Sequence, residues 1–371
     1  MVITRVQVKQ KNIDWAFKET DLREDKKIKI QDELNWLQNN NKNYLNPTIK
    51  QLGSFATRLH VPFGNLLLDK IPETESIQLA FRTKENVPAE VSLNVRAIIY
   101  EMQRKQAWFK EESGYANKEL GLIGVAKGKH CTISDVVLKM KEFLKLNHFK
   151  TARELFNDLR NQLAYHGILV MQKGGVGLGN NRPLDVEQVR AFVLLDDYAP
   201  LIFLNQKDSF TARIFSLVHE FVHILRGTDE LFRNVDETLE EERFINEAVA
   251  RFLMPKDDFE KVFDSLGINK VARHFNVSPF SAAIRAKNLK LMDDITSYSV
   301  FDMEPVLSKK NSGGNPYNTA LSLNDNRFTS ALVNSQMNGT LPPTKAASLL
   351  GISTKMLGKT ISIFNEREVG L

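Results

Sequence analysis

Phe215-Ser216-Leu217-Val218-His219-Glu220-Phe221-Val222-His223-Ile224-Leu225 sets two histidines four residues apart, with a glutamate beside the first, in a largely apolar stretch. Positions i and i+4 share one face of a helix, so the two imidazoles can converge on one ion while Glu220 is offset toward an open coordination position. Zinc held in this way lowers the pKa of its water to about 7, and Glu220 can take the proton as the oxygen attacks a carbonyl. Two histidines at this spacing also arise by chance on buried helices. From Leu217 to Leu225, however, His219, Glu220 and His223 are the polar exceptions, and burying three such groups without a partner is costly. A metal removes that cost.

A catalytic zinc needs a third protein ligand, and Asp229, Glu242 and Glu247 follow within the next stretch of chain. Asp229 lies six residues after His223, the spacing of zincins with His-x-x-Gly-x-x-(His/Asp). That pattern requires glycine at 226, where this chain has Arg226, and Gly227 comes one position late. Glu242 opens a second apolar-periodic helix, expected over Glu242–Leu253, with Asn246, Val249 and Leu253 following on its face. Glu247 falls about 140° round that helix, away from this face. Glu242 is therefore the better ligand, and Asn246, one turn on, is placed to support it.

Working outward, three short β-type runs precede the motif: Gly167–Met171, Ala191–Leu195 and Pro200–Leu204. Their close spacing predicts a small antiparallel sheet. Helical pattern resumes at Phe210 and runs, with a break at residues 226 to 240, to about Leu291. The result is an α+β unit of roughly 125 residues, a normal domain size. Gly174-Gly175-Val176-Gly177-Leu178-Gly179 follows the first run, but no helix start and no Lys-Ser/Thr come after it, so it reads as a hairpin or rim loop rather than a phosphate cradle.

Glu242-Arg243-Phe244-Ile245-Asn246-Glu247-Ala248-Val249-Ala250-Arg251-Phe252-Leu253-Met254-Pro255, coming after His219-Glu220-Phe221-Val222-His223, resembles the ImmA/IrrE family of metallopeptidases. That family pairs His-Glu-x-x-His with Glu-x-x-x-Asn and a helix ending in Leu-Met-Pro. The resemblance extends to Ala199–Asn205 upstream and to Val277-Ser278 and Arg285 downstream, covering roughly residues 167 to 295. It implies a zincin-like core, Zn2+ held by His219, His223 and Glu242, Glu220 as the catalytic base, and Glu247 left on the surface. Among the remaining histidines, His60, His130, His148, His166 and His274, only His274 draws notice, because the family segment resembling Val271 to Leu289 packs near the site. Family members typically cut one regulatory protein, such as a repressor. The implied activity is an intracellular endopeptidase of restricted specificity, with a repressor or a toxin as its protein partner.

The chain has 371 residues, 42% of them hydrophobic, which is too long for one ordinary core. Four regions are expected: a degenerate repressor-like helical domain over 1–75, a helical region over 76–166, the peptidase domain over 167–295, and a small helical region over 296–371. Fifty Lys and Arg against 45 Asp and Glu give a net charge of +5, which permits nucleic-acid contact without arguing for it. Residues 46 to 69 resemble the closing helices of repressor-like DNA-binding domains. Residues 21 to 45, which should read the groove, lack the expected Ala-x-x-x-Gly turn and carry mixed charge. DNA contact through the N-terminal region stays open on this reading. The tail, Thr344–Lys355, has the neatest such turn in the chain, a shape that serves DNA contact, packing or oligomerisation alike. Cys131 is the sole cysteine, which excludes an internal disulfide and a cysteine-held metal. With no apolar run of about 18 residues and no signal-like start, the chain reads as cytoplasmic, without a membrane partner. The competing class is a transcriptional regulator or antitoxin that keeps the peptidase fold as a protein-binding scaffold.

Overall fold

The computed structural model describes residues 4–20, 22, 24–37, 44–70, 92–114, 116–128, 130–147, 149–178, 182–228, 235–298 and 315–369. Two compact units result, the first formed by residues 1–78 with 89–97 and the second by 79–88 with 98–371. Asp229 and His148 lie outside the described residues.

The first unit contains β1 (Val8–Lys9), α1 (Gln10–Glu19), α2 (Glu24–Glu33), β2 (Tyr44–Leu45) and α3 (Ile49–Leu59). Helix α3 begins at a capping box in which Thr48 and Gln51 each accept the other's backbone N–H, and it ends at His60 in the left-handed region. Its apolar face, Leu52, Phe55, Ala56 and Leu59, packs with Ile13 and Ala16 of α1, and Trp36 stands edge-on to Phe55. Helices alone were expected here, yet Val8 and Leu45 pair as antiparallel strands. Pro47 disfavours helix at Asn46, and the extended backbone before it finds its partner in β1.

The second unit is built on α4 (Leu93–Glu111, from Ile98 on), α5 (Ile133–Phe143), α6 (Ala152–Tyr165), β3 (Leu169–Lys173), β4 (Ala191–Leu194), β5 (Leu201–Asn205), α7 (Phe210–Arg226) and α8 (Val235–Leu253). Then follow α9 (Lys256–Ser265), α10 (Ile268–His274), α11 (Pro279–Asn288), α12 (Pro316–Leu323), α13 (Asn326–Met337), α14 (Pro343–Leu350) and α15 (Thr354–Val369). The architecture is mixed α+β, mostly helical with small sheets. Capping boxes start α5, through Thr132 and Asp135, and α6, through Thr151 and Glu154.

The three-stranded sheet has the order β3-β5-β4, and this corrects the antiparallel expectation. β4 and β5 do pair antiparallel across the short link 195–200, but β3 runs parallel to β5, from Leu169 opposite Leu201 to Lys173 opposite Asn205. The long excursion 174–190 lets the chain cross to the far side of β5 before returning. All three strands are buried on both faces, so no apolar-polar alternation marks which neighbour each will take. Within the excursion, Leu184 N donates to Gly174 O and Val176 N to Arg182 O, a hairpin-like closure. A Cβ at Gly175 would lie 2.6 Å from Arg182 O, so glycine is required there.

Helix α7 packs beneath β4 and β5, and α8 packs against both α7 and α5. The C-terminal helices are joined to β3: Val170 N donates to Asp325 Oδ2 at 3.2 Å, and the Arg160 guanidinium donates to Val170 O and Asn324 O. Lys105 Nζ of α4 donates to Asn324 Oδ1 at 2.7 Å, and Trp108 and Phe109 pack on Phe328 of α13. No described helix is long and apolar enough to cross a membrane.

Candidate metal centre

Helix α7 carries the His-Glu-x-x-His segment between two well-defined ends. Ser209 caps its start by accepting from Ala212 N, and Gly227 closes it with φ of 65°. A Cβ at Gly227 would sit 3.2 Å from Gly124 Cα, a tight contact that glycine at 227 avoids, and the left-handed φ there also favours glycine. That loop satisfies carbonyls that a helix end leaves open: Gly124 N donates to Ile224 O and Ala126 N to Leu225 O. Arg226 donates to Ala126 O and forms an ion pair with Glu241 of α8. The last turn of α7, which holds His223, is thereby tied to the preceding helical region and to α8.

Helix α8 starts at Val235, seven residues before the expected Glu242. The stretch from Val235 to Glu241 holds only two apolar residues, Val235 and Leu239, among acidic ones, too few to mark a helix start. Packed on α7, it brings Glu242 to the two histidines. His219 Nε2 lies 3.1 Å from His223 Nε2, and the Glu242 carboxylate oxygens lie 3.3 Å from each imidazole. The three ligand atoms are within 4.8 Å of one another. In a tetrahedral site with metal–ligand bonds of about 2.0–2.1 Å, adjacent ligand atoms stand about 3.3 Å apart. Each separation therefore has the size of an edge of such a tetrahedron, the carboxylate turning one oxygen to each imidazole, and two imidazoles with one carboxylate are a donor set suited to a divalent cation.

His223 is 1% exposed, and its Nδ1 lies 2.8 Å from Thr228 Oγ1. When Nδ1 carries the hydrogen, Thr228 accepts it and Nε2 keeps its lone pair for a metal. Burial pushes the Glu242 carboxyl up, but hydrogen bonds and charge from His219 and His223 outweigh it and hold the group well below the usual carboxylate range. Glu220 is 4% exposed and is not one of the three converging groups. Thr228 was not singled out from the sequence, where a threonine five residues after a histidine gives no signal. Thr228→Val is expected to weaken metal affinity about 10- to 100-fold, measured by competition with a chelator. Unchanged affinity would show that Thr228 does not orient the ring.

Glu247, expected at the surface, is half-buried and bridges two helices. It accepts from Arg251 Nε at 2.7 Å, Asn288 Nδ2 at 2.9 Å and Arg285 Nη1 at 3.4 Å, and so links α8 to α11. The face turned from Glu242 is covered by another helix, which a single-helix wheel does not show. Arg285 is itself buried and donates to Met254 O. His274 is exposed and packs on Phe275, while His166 lies edge-on to Phe143. Neither belongs to the His219–His223–Glu242 group.

Residues 163–287, about a third of the chain, match the family model described as Peptidase_M78, the IrrE N-terminal-like domain. This segment, which contains the sheet, α7, α8 and all three converging groups, is similar to a peptidase domain. A solved structure titled Mycobacterium tuberculosis transcriptional regulator aligns with a TM-score of 0.32 and 14% identity, covering 50% of this chain and 52% of that one. The chain thus spans about half the length of that structure, at a similarity too loose to place any residue. No curated protein matches.

Proposed function

We propose that the protein is an intracellular zinc-dependent endopeptidase of restricted specificity that cleaves or controls a regulatory protein of repressor or toxin-antitoxin type. The observation that carries this reading is the convergence of His219, His223 and Glu242 at 3.1–3.3 Å, with Glu220 beside His219 on α7. When bound, zinc supplies Lewis acidity to the scissile carbonyl and to the attacking water. Glu220 takes the proton from that water and returns it to the departing amine, as a positioned carboxylate can. Thr228 fixes the His223 ring, and the burial of both histidines keeps bulk solvent off the metal ligands.

Metal analysis of the full chain is expected to give about one zinc per chain, since three protein ligands and a water complete a tetrahedral site. His223→Ala should lose that stoichiometric zinc. A folded protein that cannot be loaded with zinc would overturn the proposal.

A second reading, the regulator or antitoxin that uses the fold as a scaffold, is favoured by one feature of the C-terminal helices. α14 and α15 are joined by Gly351-Ile352-Ser353, with Gly351 in the left-handed region at φ of 73°. Ala346, Ala347, Leu350, Ile352 and Leu357 are buried, whereas Thr354, Lys355, Gly358, Lys359 and Ser362 are exposed along α15. Two helices on a three-residue turn, the second with a polar exposed face, have the form of a groove-reading pair. Under this reading the protein's effect in the cell does not depend on Glu220.

A further inference from the structure

A cavity of about 400 Å³ lies among α7, α8 and α11. Phe215, one turn before His219 on α7, lines it, and the two rings are 6.5 Å apart between centroids. On α8 its wall begins at Arg243, the residue after Glu242. The two helices that supply the three converging groups thus also supply the walls of the cavity. Its apolar lining comes from Ala212, Phe215, Ala250, Phe280 and Ile284, and its volume is in the range of small-ligand pockets.

The charged lining is unequal. Glu247, the acid among the lining residues, is engaged with Arg251 and Arg285. Of the two arginines, Arg190 is 3.4 Å from Asp208, whereas Arg243 is exposed and has no carboxylate within ion-pair distance among the described residues. An apolar hollow with a cationic mouth next to a hydrolytic centre selects a side chain by size and its neighbour by charge.

We propose that this cavity is a substrate side-chain pocket serving the His219–His223–Glu242 group. It takes one bulky apolar residue of a polypeptide substrate next to the scissile bond, while Arg243 meets an aspartate or glutamate side chain close by in that substrate. The proposal rests on the metallopeptidase reading and deepens it, because it assigns Ala250 and Ile284 as determinants of size and Arg243 as a determinant of charge.

The test is binding to the full-length, zinc-loaded protein, followed by calorimetry. The probes are peptidyl hydroxamates, whose hydroxamate chelates the metal, with glycine, alanine, leucine, phenylalanine or lysine next to it. Leucine and phenylalanine should bind tenfold or more tighter than glycine, roughly the return for burying one such side chain, and lysine should gain nothing. Ile284→Arg should flatten the series, leaving leucine and phenylalanine no tighter than glycine. Ile284 is half-buried, so the variant is expected to fold; thermal unfolding checks this, and Ala250→Phe serves in its place if it does not. A leucine probe extended with aspartate should bind tighter than one extended with lysine, and Arg243→Glu should reverse that order. A loaded protein that binds the glycine probe but shows no preference, or a preference that neither pocket variant alters, overturns the pocket and leaves the peptidase reading standing. A folded protein that takes up no zinc overturns the peptidase reading itself, and the pocket with it.

Discussion

Glu220→Gln is expected to lower kcat/KM on the native target by about 10²- to 10⁴-fold, the range contributed by a positioned general base, while zinc content stays at the parent level. Glutamine matches glutamate in shape but cannot take the proton. Glu220 is buried on α7 beside His219 and is not among the three converging groups, so its charge can be removed without removing a ligand. Parallel measurement of cleavage and metal content checks both halves. Undiminished cleavage would exclude Glu220 as the base, and loss of zinc together with activity would point to a structural role. The same variant separates the two functional readings, because a scaffold would act in the cell as before.

Glu101→Gln should destabilise the second unit by about 3–5 kcal/mol, the usual cost of removing one partner from a buried ion pair. Glu101 sits between Lys105 at 3.1 Å and Lys173 at 2.6 Å, and the two lysine side chains are 2% and 3% exposed. Burial already pushes the Lys105 ammonium down to about 8, against the opposing pull of Glu101. Without that carboxylate, two buried cations face each other. Burial pushes the Glu101 carboxyl up, but Lys105 and Lys173 outweigh it and hold the group below its ordinary value. Its stabilisation is therefore present in full above the unfolded-state pKa and is lost as pH falls through the folded value. The gap between parent and variant should be full near pH 7 and narrow in acid below about pH 4. Urea unfolding followed through Trp108, which packs edge-on to Phe328 nearby, measures it. A difference under about 1 kcal/mol at neutral pH would show that the three charges are solvated.

What could be read from the sequence was what one helix or one strand encodes by itself. His219, Glu220 and His223 share a helical repeat, and Glu242 heads an apolar period, so a local pattern nominates all four. The structure brings His219, His223 and Glu242 together. The start of α8 was misplaced because only Val235 and Leu239 are apolar before Glu242, among acidic residues, too few to mark a helix. The polarity of β3 was missed because a strand buried on both faces carries no mark of its partner. The links of Glu247 to Arg285 and Asn288 were not legible because they are made by α11, some forty residues further along. The attachment of the C-terminal helices to β3, through Asn324 and Asp325, rests on contacts more than 150 residues apart, and no periodicity foretells them.

That attachment has a consequence for strand pairing. A three-stranded sheet has two open flanks at which another chain could add as a further strand. On the β3 flank, Val170 gives its N–H to Asp325 and its carbonyl to Arg160, so the hydrogen-bonding groups an incoming strand would need are already used. On the β4 flank no described strand lies beyond Ala191–Val193, and burial of Ala191, Phe192 and Val193 shows that this edge is covered as well. The C-terminal helices thus act as a stopper on one side of the sheet.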